Sequence, residues 1–400
     1  MPETILSFEE ARHTVEREAA EIKPHAQERA SLLESANRIL AEDVLADRDL
    51  PPFPRSTRDG YAVRSSDSGK LKLIAEIRAG ITTELPKIKA GECAAIMTGA
   101  PLPPGADAVI MIEHTALEGS AVSLQRGVAA GENVVPQGAE AKKGGILLKK
   151  GTRLSPAALA VAASAGRSEL NVFARPKIAI LSTGDELVDV NQQPAPTQIR
   201  NSNSHSLAAQ IAAAGGEPVI LPIAADETSR LRQLIEEGLN ADLLLLSGGV
   251  SMGKHDLVEP VLNDLKAEFF FTGARIQPGK PVVFGRALET YFFGLPGNPV
   301  STLVTFQLFA KPMVEALAGA TPEPLRFLQA RLKSDISVKP GPTRFLPATL
   351  SGELERTEVE LVRWQGSGDV VSAAKADCYI VVPPTAEKFT KGTSVQVLMM

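Results

Sequence analysis

From Ser7 to Leu45 apolar residues recur every three or four positions, in SFEEARHTVEREAAEI and again in ERASLLESANRILAEDV, and this spacing predicts two helices. A turn-rich stretch, DLPPFPRSTRDGYAV, follows. From about Leu71 to Leu148 the period shortens to alternation in segments such as KLKLIAEIRAG, CAAIMTG, ADAVIMIEHT and AVSLQRG, divided by Gly and Pro. That pattern predicts a small β domain inserted in the chain. KKGTRLSPAALAVAASAG then supplies another helix.

A different regime runs from Lys177 to about Gly319. KIAILSTG, EPVILPIAADE, ADLLLLSGGVS, KPVVFGRA and TYFFGLPG read as strands; NSNSHSLAAQIAAAGG, TSRLRQLIEEGLN and PVSTLVTFQLFAKPMVEALAG read as helices between and after them. Strands apolar along their whole length are buried on both faces, which calls for a doubly wound, mostly parallel sheet. From PEPLRFLQARLKSDISV to the end, short β elements return. The fold class expected is therefore multidomain α/β plus β. Its parts are a helical domain (1–48 with 150–172), an inserted small β domain (49–149), an α/β domain (173–322) and a C-terminal β domain (323–400).

Composition narrows the function. A net charge of -5 gives no general attraction to nucleic acid or anionic lipid, and 4% aromatic residues with one Trp disfavour a base-stacking surface. No stretch reaches the roughly 18 uninterrupted apolar residues of a membrane span. The acidic, amphipathic start is not a signal peptide, so a cytoplasmic location is expected. Cys93 and Cys378, far apart in the chain, read as small core residues. No pair of the five His has metal-ligand spacing, and no Walker, dinucleotide or nucleophile-elbow pattern occurs.

Candidate chemistry gathers where the predicted strands end. In an open parallel sheet, ligands bind beyond the carboxyl ends of the strands. Three strands end in STGDE (Ser182 to Glu186), SGGVSMGKHD (Ser247 to Asp256) and LPGNPVS (Leu295 to Ser301), and these loops are expected to open on one edge. Small residues let backbone amides approach a ligand, and a helix start offers unpaired N–H groups to an oxyanion. In the third loop Pro296 and Pro299 fix the turn, Gly297 permits it, and Asn298 or Ser301 can cap the helix. Any one such loop also serves as a plain strand-to-helix turn; three in register favour a site. Asp185, Glu186, Asp226 and Asp256 add hard oxygen ligands of the kind Mg²⁺ takes, although Asp226 fits a helix cap as well. Lys280, between Gly279 and Pro281, fixes a cation near an anionic ligand.

Seven segments in chain order, PPFPRSTRDGYAV, IMTGAPLPPGADAVIMIE, ILSTGDEL, LLLLSGGVSMGKHD, IQPGKPVVFG, LPGNPVSTLVTF and QGSGDVVSAAKADCYIVVP, together resemble the MoeA family of molybdopterin molybdenumtransferases, which is similar to the E domain of gephyrin. The resemblance runs from about Pro51 to Pro383. It implies a homodimer with a MogA-like molybdopterin-binding α/β domain. The implied reaction takes adenylylated molybdopterin, releases AMP and inserts molybdate, assisted by Mg²⁺. Matched position by position, the implied catalytic carboxylates are Asp59 (reaching the site from a partner subunit), Glu186, Asp226 and Asp256. Glu186, Asp226, Asp256 and Glu140 are the metal-ligand candidates. Substrate contacts fall on Thr183, Gly184, Asp185, Ser247, Gly248, Gly249, Ser251, Lys280, Pro296, Gly297, Asn298, Ser301, Arg344 and Ser367.

This chain departs from the family pattern at four places. FPRSTRDG stands for FDNSAMDG, Glu140 for an Asp, and Gln277 for a Lys found in some relatives. The R-P-E-F pattern reads PTRF, and the sequence leaves open whether Arg344 takes the place of the family's molybdate-contacting Arg. Two other functions compete: a non-catalytic dimeric scaffold, and an adenylyltransferase needing residues 173–322 alone. Molybdopterin adenylyltransferase and molybdoenzyme maturation proteins are the partners the resemblance implies; no nucleic acid or membrane partner is expected.

Overall fold

The computed structural model of the chain describes residues 4–24, 26–81, 83–225, 227–249, 257–353 and 356–400. These form two compact units: one of residues 1–29, 37–41 and 171–400, the other of residues 30–36 and 42–170.

The first unit is built on a six-stranded sheet whose strands, in chain order, are β1 (Lys177–Ser182), β2 (Glu217–Ile220), β3 (Leu243–Ser247), β4 (Glu268–Phe271), β5 (Val283–Ala287) and β6 (Thr290–Leu295). Their spatial order is β2-β1-β3-β6-β5-β4. β2, β1, β3 and β6 run parallel, and β5 and β4 add an antiparallel edge. Side chains two apart along a strand share a face. Ile178, Ile180, Leu243, Leu245 and Phe293 accordingly enter one core, with α1 (Phe8–Glu21), α2 (Asn203–Ala214) and the helix from Pro299 onward. Ala179, Leu181, Leu244, Leu246 and Phe292 enter the other, against α3 (Thr228–Gly238) and α4 (Val258–Asp264). The expected doubly wound sheet is the result.

Ser7 and Glu10 start α1 with a reciprocal cap, the Glu10 amide donating to Ser7 Oγ and the Ser7 amide to Glu10 Oε2. Its apolar stripe, Ala11, Val15 and Ala19, packs into the α/β core and not into a separate helical domain. The second helix expected near the N-terminus does not form. Gln27–Ser31 is a strand paired with Glu169–Phe173, and the single turn that Ser31 and Glu34 cap ends at Asn37, whose φ of 62° breaks helical continuation. Strand pairing here outweighs local propensity.

Helix α5 (Pro299–Thr305) passes through a π-helical turn, Phe306–Ala310, into α6 (Lys311–Leu317). Proline explains the irregularity. Pro312 has no N–H for the Leu308 carbonyl one turn back. Buried Arg12 of α1 supplies the missing donor through Nη1, while its Nε holds Glu16 at 2.6 Å.

The C-terminal strands Thr343–Ser351, Glu358–Leu361, Phe327–Leu332, Ser394–Met399 and Cys378–Val382 pair in that order and close on themselves through Thr343–Ser351 and Cys378–Val382. This barrel has its own core of Val359, Ile380 and Val397. Phe345, Tyr379 and Leu398 extend into the α/β core, with Phe345 edge-on to Phe8.

The second unit is dominated by a six-stranded sheet, as alternation predicted, in the order Ala108–Met111, Gly60–Val63, Glu92–Ile96, Lys70–Ile77, Ala121–Leu124 and Thr115–Glu118. A helix at Pro156–Ser164 begins on the Ser155 side-chain cap.

Candidate active site

The carboxyl ends of β1, β3 and β6 lie level. Ser182 is in register with Ser247, and Ser247 with Leu295. The three Gly-rich loops therefore leave adjacent strands at one edge, as the sequence implied. Backbone bonds continue the register past the strands: Thr183 N–H donates to Ser247 O at 3.1 Å and Gly248 N–H to Leu295 O at 3.2 Å.

At Gly248 glycine is required because backbone meets backbone, and its neighbours in the cradle are crowded by side chains. A Cβ on Gly248, at φ 88°, would come within 2.7 Å of Thr183 O, and one on Gly249 within 2.5 Å of Thr183 Oγ1. Gly297 lies 3.5 Å, measured from its would-be Cβ, from Gly248 Cα. The Glu186 carboxylate folds back over Gly184, whose own Cβ would stand 2.5 Å from Glu186 Oε2. Asp185 and Glu186 are exposed, and Gly184, Asp185 and Leu187 to Asp189 form one wall of an open cleft of about 420 Å³ against Pro222, Ile223 and Ala225.

Buried polar side chains lock these loops. Ser182 Oγ contacts Ser204 Oγ at 2.9 Å and donates to Asn201 Oδ1 at 3.2 Å. Asn203 Nδ2 donates both to Ser247 Oγ at 2.9 Å and to Gly297 O at 2.8 Å, joining the second loop to the third. Its Oδ1, like Thr183 Oγ1, is buried without a partner among the described residues. Sequence reasoning read the NSNS run only as helix-capping residues and missed this stitching role; the sole signal was a cluster of small amides and hydroxyls directly before α2.

At the third loop, Asn298 occupies the N-cap position of α5 without a side-chain cap bond, contrary to expectation. Its Nδ2 turns instead to Ser367 Oγ at 2.9 Å, and the Val300 amide donates to Ser367 O at 2.9 Å. Ser367 is thus brought to the start of the helix that carries buried Ser301. Gly279, at φ 110°, presses on that helix, since a Cβ there would meet Thr305 Cγ2 at 2.5 Å. Lys280 follows it and is exposed. Arg344 Nε donates to Gln277 Oε1 at 2.9 Å across the bridge between the strands Ile276–Gln277 and Thr343–Ser351.

In the second unit, Asp59 Oδ1 accepts from the Thr98 amide and hydroxyl. Glu140 Oε1 accepts from Arg55 Nη2 at 2.9 Å, so two departures from the family pattern pair with each other and one Glu140 oxygen is engaged. Asp226, Ser251 and Asp256 lie outside the described residues. Among the described residues no group of three His, Cys, Asp or Glu is placed to hold a metal ion, and the Glu186 carboxylate has no ion-pair partner.

Comparisons with known proteins follow the same layout. Residues 6–166 match the family model for the MoeA N-terminal region (domain I and II), 179–316 a probable molybdopterin binding domain, and 329–400 the MoeA C-terminal region (domain IV). The molybdopterin molybdenumtransferase of Bacillus subtilis (strain 168) is 36% identical over 92% of this chain and 89% of its own length. The protein of that name from Staphylococcus aureus (strain Mu50 / ATCC 700699) is 34% identical over 92% and 90%. A crystal structure of a molybdopterin biosynthesis MoeA protein from Pyrococcus horikoshii superposes with a TM-score of 0.74 at 34% identity, covering 99% of both chains.

Proposed function

The chain belongs to the MoeA family of molybdopterin molybdenumtransferases and acts in molybdenum cofactor biosynthesis, and from that premise we propose that it inserts molybdate into adenylylated molybdopterin with release of AMP. The observation that carries this reading is the level ending of β1, β3 and β6, whose glycine cradle gives main-chain amides close access to an anionic ligand.

Roles follow from chemistry. Thr183, Gly184 and Asp185, Ser247, Gly248 and Gly249, with Pro296, Gly297 and Asn298, form the walls that hold the pterin phosphate and adenylate. Exposed Lys280, with Ser301, Ser367 and Arg344, holds the oxyanion. Glu186, whose carboxylate has no ion-pair partner among the described residues, would serve a divalent ion; Asp226, Asp256 and Ser251 complete the proposed set from sequence alone. Mg²⁺, when bound, supplies neutralisation of charge on the phosphoanhydride as AMP departs. Asp59, oriented by Thr98, contributes from the partner subunit of a homodimer. Glu140 is the weakest metal candidate, because Arg55 already engages it.

The test is product analysis. Purified protein is incubated with adenylylated molybdopterin, Mg²⁺ and molybdate, freed of small ions, and assayed for molybdenum. Metal co-eluting with the pterin is the expected result, with Glu186→Ala retaining far less. Pterin recovered without metal from the wild-type protein would favour a scaffold.

A further inference from the structure

Arg344 is placed unusually for a cation. Among the described residues its buried Nη1 has no hydrogen-bond partner and no carboxylate lies within ion-pair distance of it. Lys280, three positions beyond Gln277, likewise has no ion pair among the described residues. An unneutralised guanidinium with an enclosed, unsatisfied N–H is costly unless an anion completes it. Its one side-chain partner among the described residues is Gln277, whose Oε1 accepts from Nε at 2.9 Å. Backbone fixes both ends of that contact. Gln277 and Arg344 are direct partners in the parallel bridge, and Arg344 is also paired with Val382 on its other side. Gly341 leaves room for the guanidinium, since a Cβ there would stand 3.3 Å from Nη2.

The identity of residue 277 decides what Arg344 can do. A glutamate would form a salt bridge and cancel the charge. A lysine would set a like charge at hydrogen-bond distance and push the guanidinium away. Glutamine accepts from Nε, fixes the plane of the guanidinium and leaves its charge and its Nη donors unspent.

We infer that Gln277 is a positioning residue for Arg344, holding its guanidinium as a donor to a tetrahedral oxyanion. The inference rests on the insertase reading above, with molybdate as that oxyanion. It also specifies something that reading leaves open: in this chain the two departures, Gln277 and Arg344, work as one unit.

The experiment measures KM for molybdate and kcat in the AMP-release assay, and binding of molybdate alone to the full-length protein by calorimetry, for wild type, Gln277→Ala, Gln277→Glu, Arg344→Ala and the Gln277→Ala/Arg344→Ala pair. Arg344→Ala is expected to raise KM and the dissociation constant by more than about tenfold, and Gln277→Ala by about fivefold, with kcat changed less than twofold. The double variant should match Arg344→Ala alone, because Gln277 acts only through Arg344. Gln277→Glu should weaken binding more than Gln277→Ala, which a merely structural role would not do. Additive single effects, or molybdate binding in Gln277→Glu equal to wild type, would overturn the inference. Its failure is separable from failure of the insertase reading. A wild-type protein that binds molybdate yet releases no AMP contradicts the latter, whereas wild-type turnover with an unaltered Arg344→Ala contradicts only the former.

Discussion

Asp59 Oδ1 accepts two hydrogen bonds from Thr98, one from the main-chain amide at 2.7 Å and one from the hydroxyl at 3.1 Å. The next residue, Gly60, is held so closely that a Cβ would fall 1.9 Å from Ile110 O. One carboxylate oxygen is thereby fixed, and the role proposed for Asp59 falls to the other. Thr98→Val removes the hydroxyl bond and keeps the amide bond, a loss of about 1 kcal/mol in orientation. Molybdate-dependent AMP release should fall roughly fivefold in Thr98→Val and be largely suppressed in Asp59→Ala, with circular dichroism unchanged. Wild-type rates in both would remove Asp59 from the reaction.

Arg12 spans from α1 to the carbonyl that Pro312 leaves without a donor. Arg12→Met keeps the apolar stem but takes the side-chain donor away from the buried Leu308 carbonyl, at a cost of about 2–3 kcal/mol. For a unit of this size that lowers the thermal midpoint by about 5–10 °C. Adding Pro312→Ala supplies an amide for Leu308 O and should recover part of the loss. No recovery, measured by calorimetry, would mean that Arg12 stabilises by another route.

Asn203 joins two of the three loops through a single amide nitrogen. Asn203→Ala leaves Ser247 Oγ and Gly297 O without that donor, costing about 1–3 kcal/mol. Asn203→Asp places a second oxygen against the Gly297 carbonyl and should cost at least as much. Both variants should bind adenylylated molybdopterin at least tenfold more weakly, read by titration. Unaltered affinity with a lowered thermal midpoint would confine Asn203 to a structural role.

Burial pushes the Cys93 thiol up from 9.0 to about 11 and the Cys378 thiol to about 12. A raised pKa means the folded state holds its proton more tightly than the unfolded chain. The resulting stabilisation is complete below pH 9 and is lost as pH climbs through 11. A thiol reagent at pH 8 should therefore label neither residue in the native protein and both in denaturant. In denaturant titrations, Cys93→Ala should flatten the decline in stability between pH 9 and 11. Rapid native labelling at pH 8 would contradict this burial.

The sheet was legible because its strands, such as Leu243–Ser247, are apolar at every position and the loops after them are marked by Gly and Pro. Alternation likewise exposed the β character of residues 71–148. The segment after Gln27 misled, because ERASLLESANRIL has helical spacing while its actual structure is decided by pairing with Glu169–Phe173, remote in sequence. The loops of the candidate site could be named from sequence, but not what locks them. Asn203, Ser204 and Ser367 act through contacts across 44, 22 and 69 positions, respectively, that local spacing does not encode. The couplings of Arg55 with Glu140 and of Arg344 with Gln277 were hidden for the same reason, since each separate departure from the family pattern makes sense only beside its partner.

The most direct test of the account follows AMP as purified protein meets adenylylated molybdopterin and Mg²⁺, with and without molybdate. Release that depends on molybdate and saturates with it is expected. Release that is equal in its absence, or none at all despite bound substrate, would contradict it.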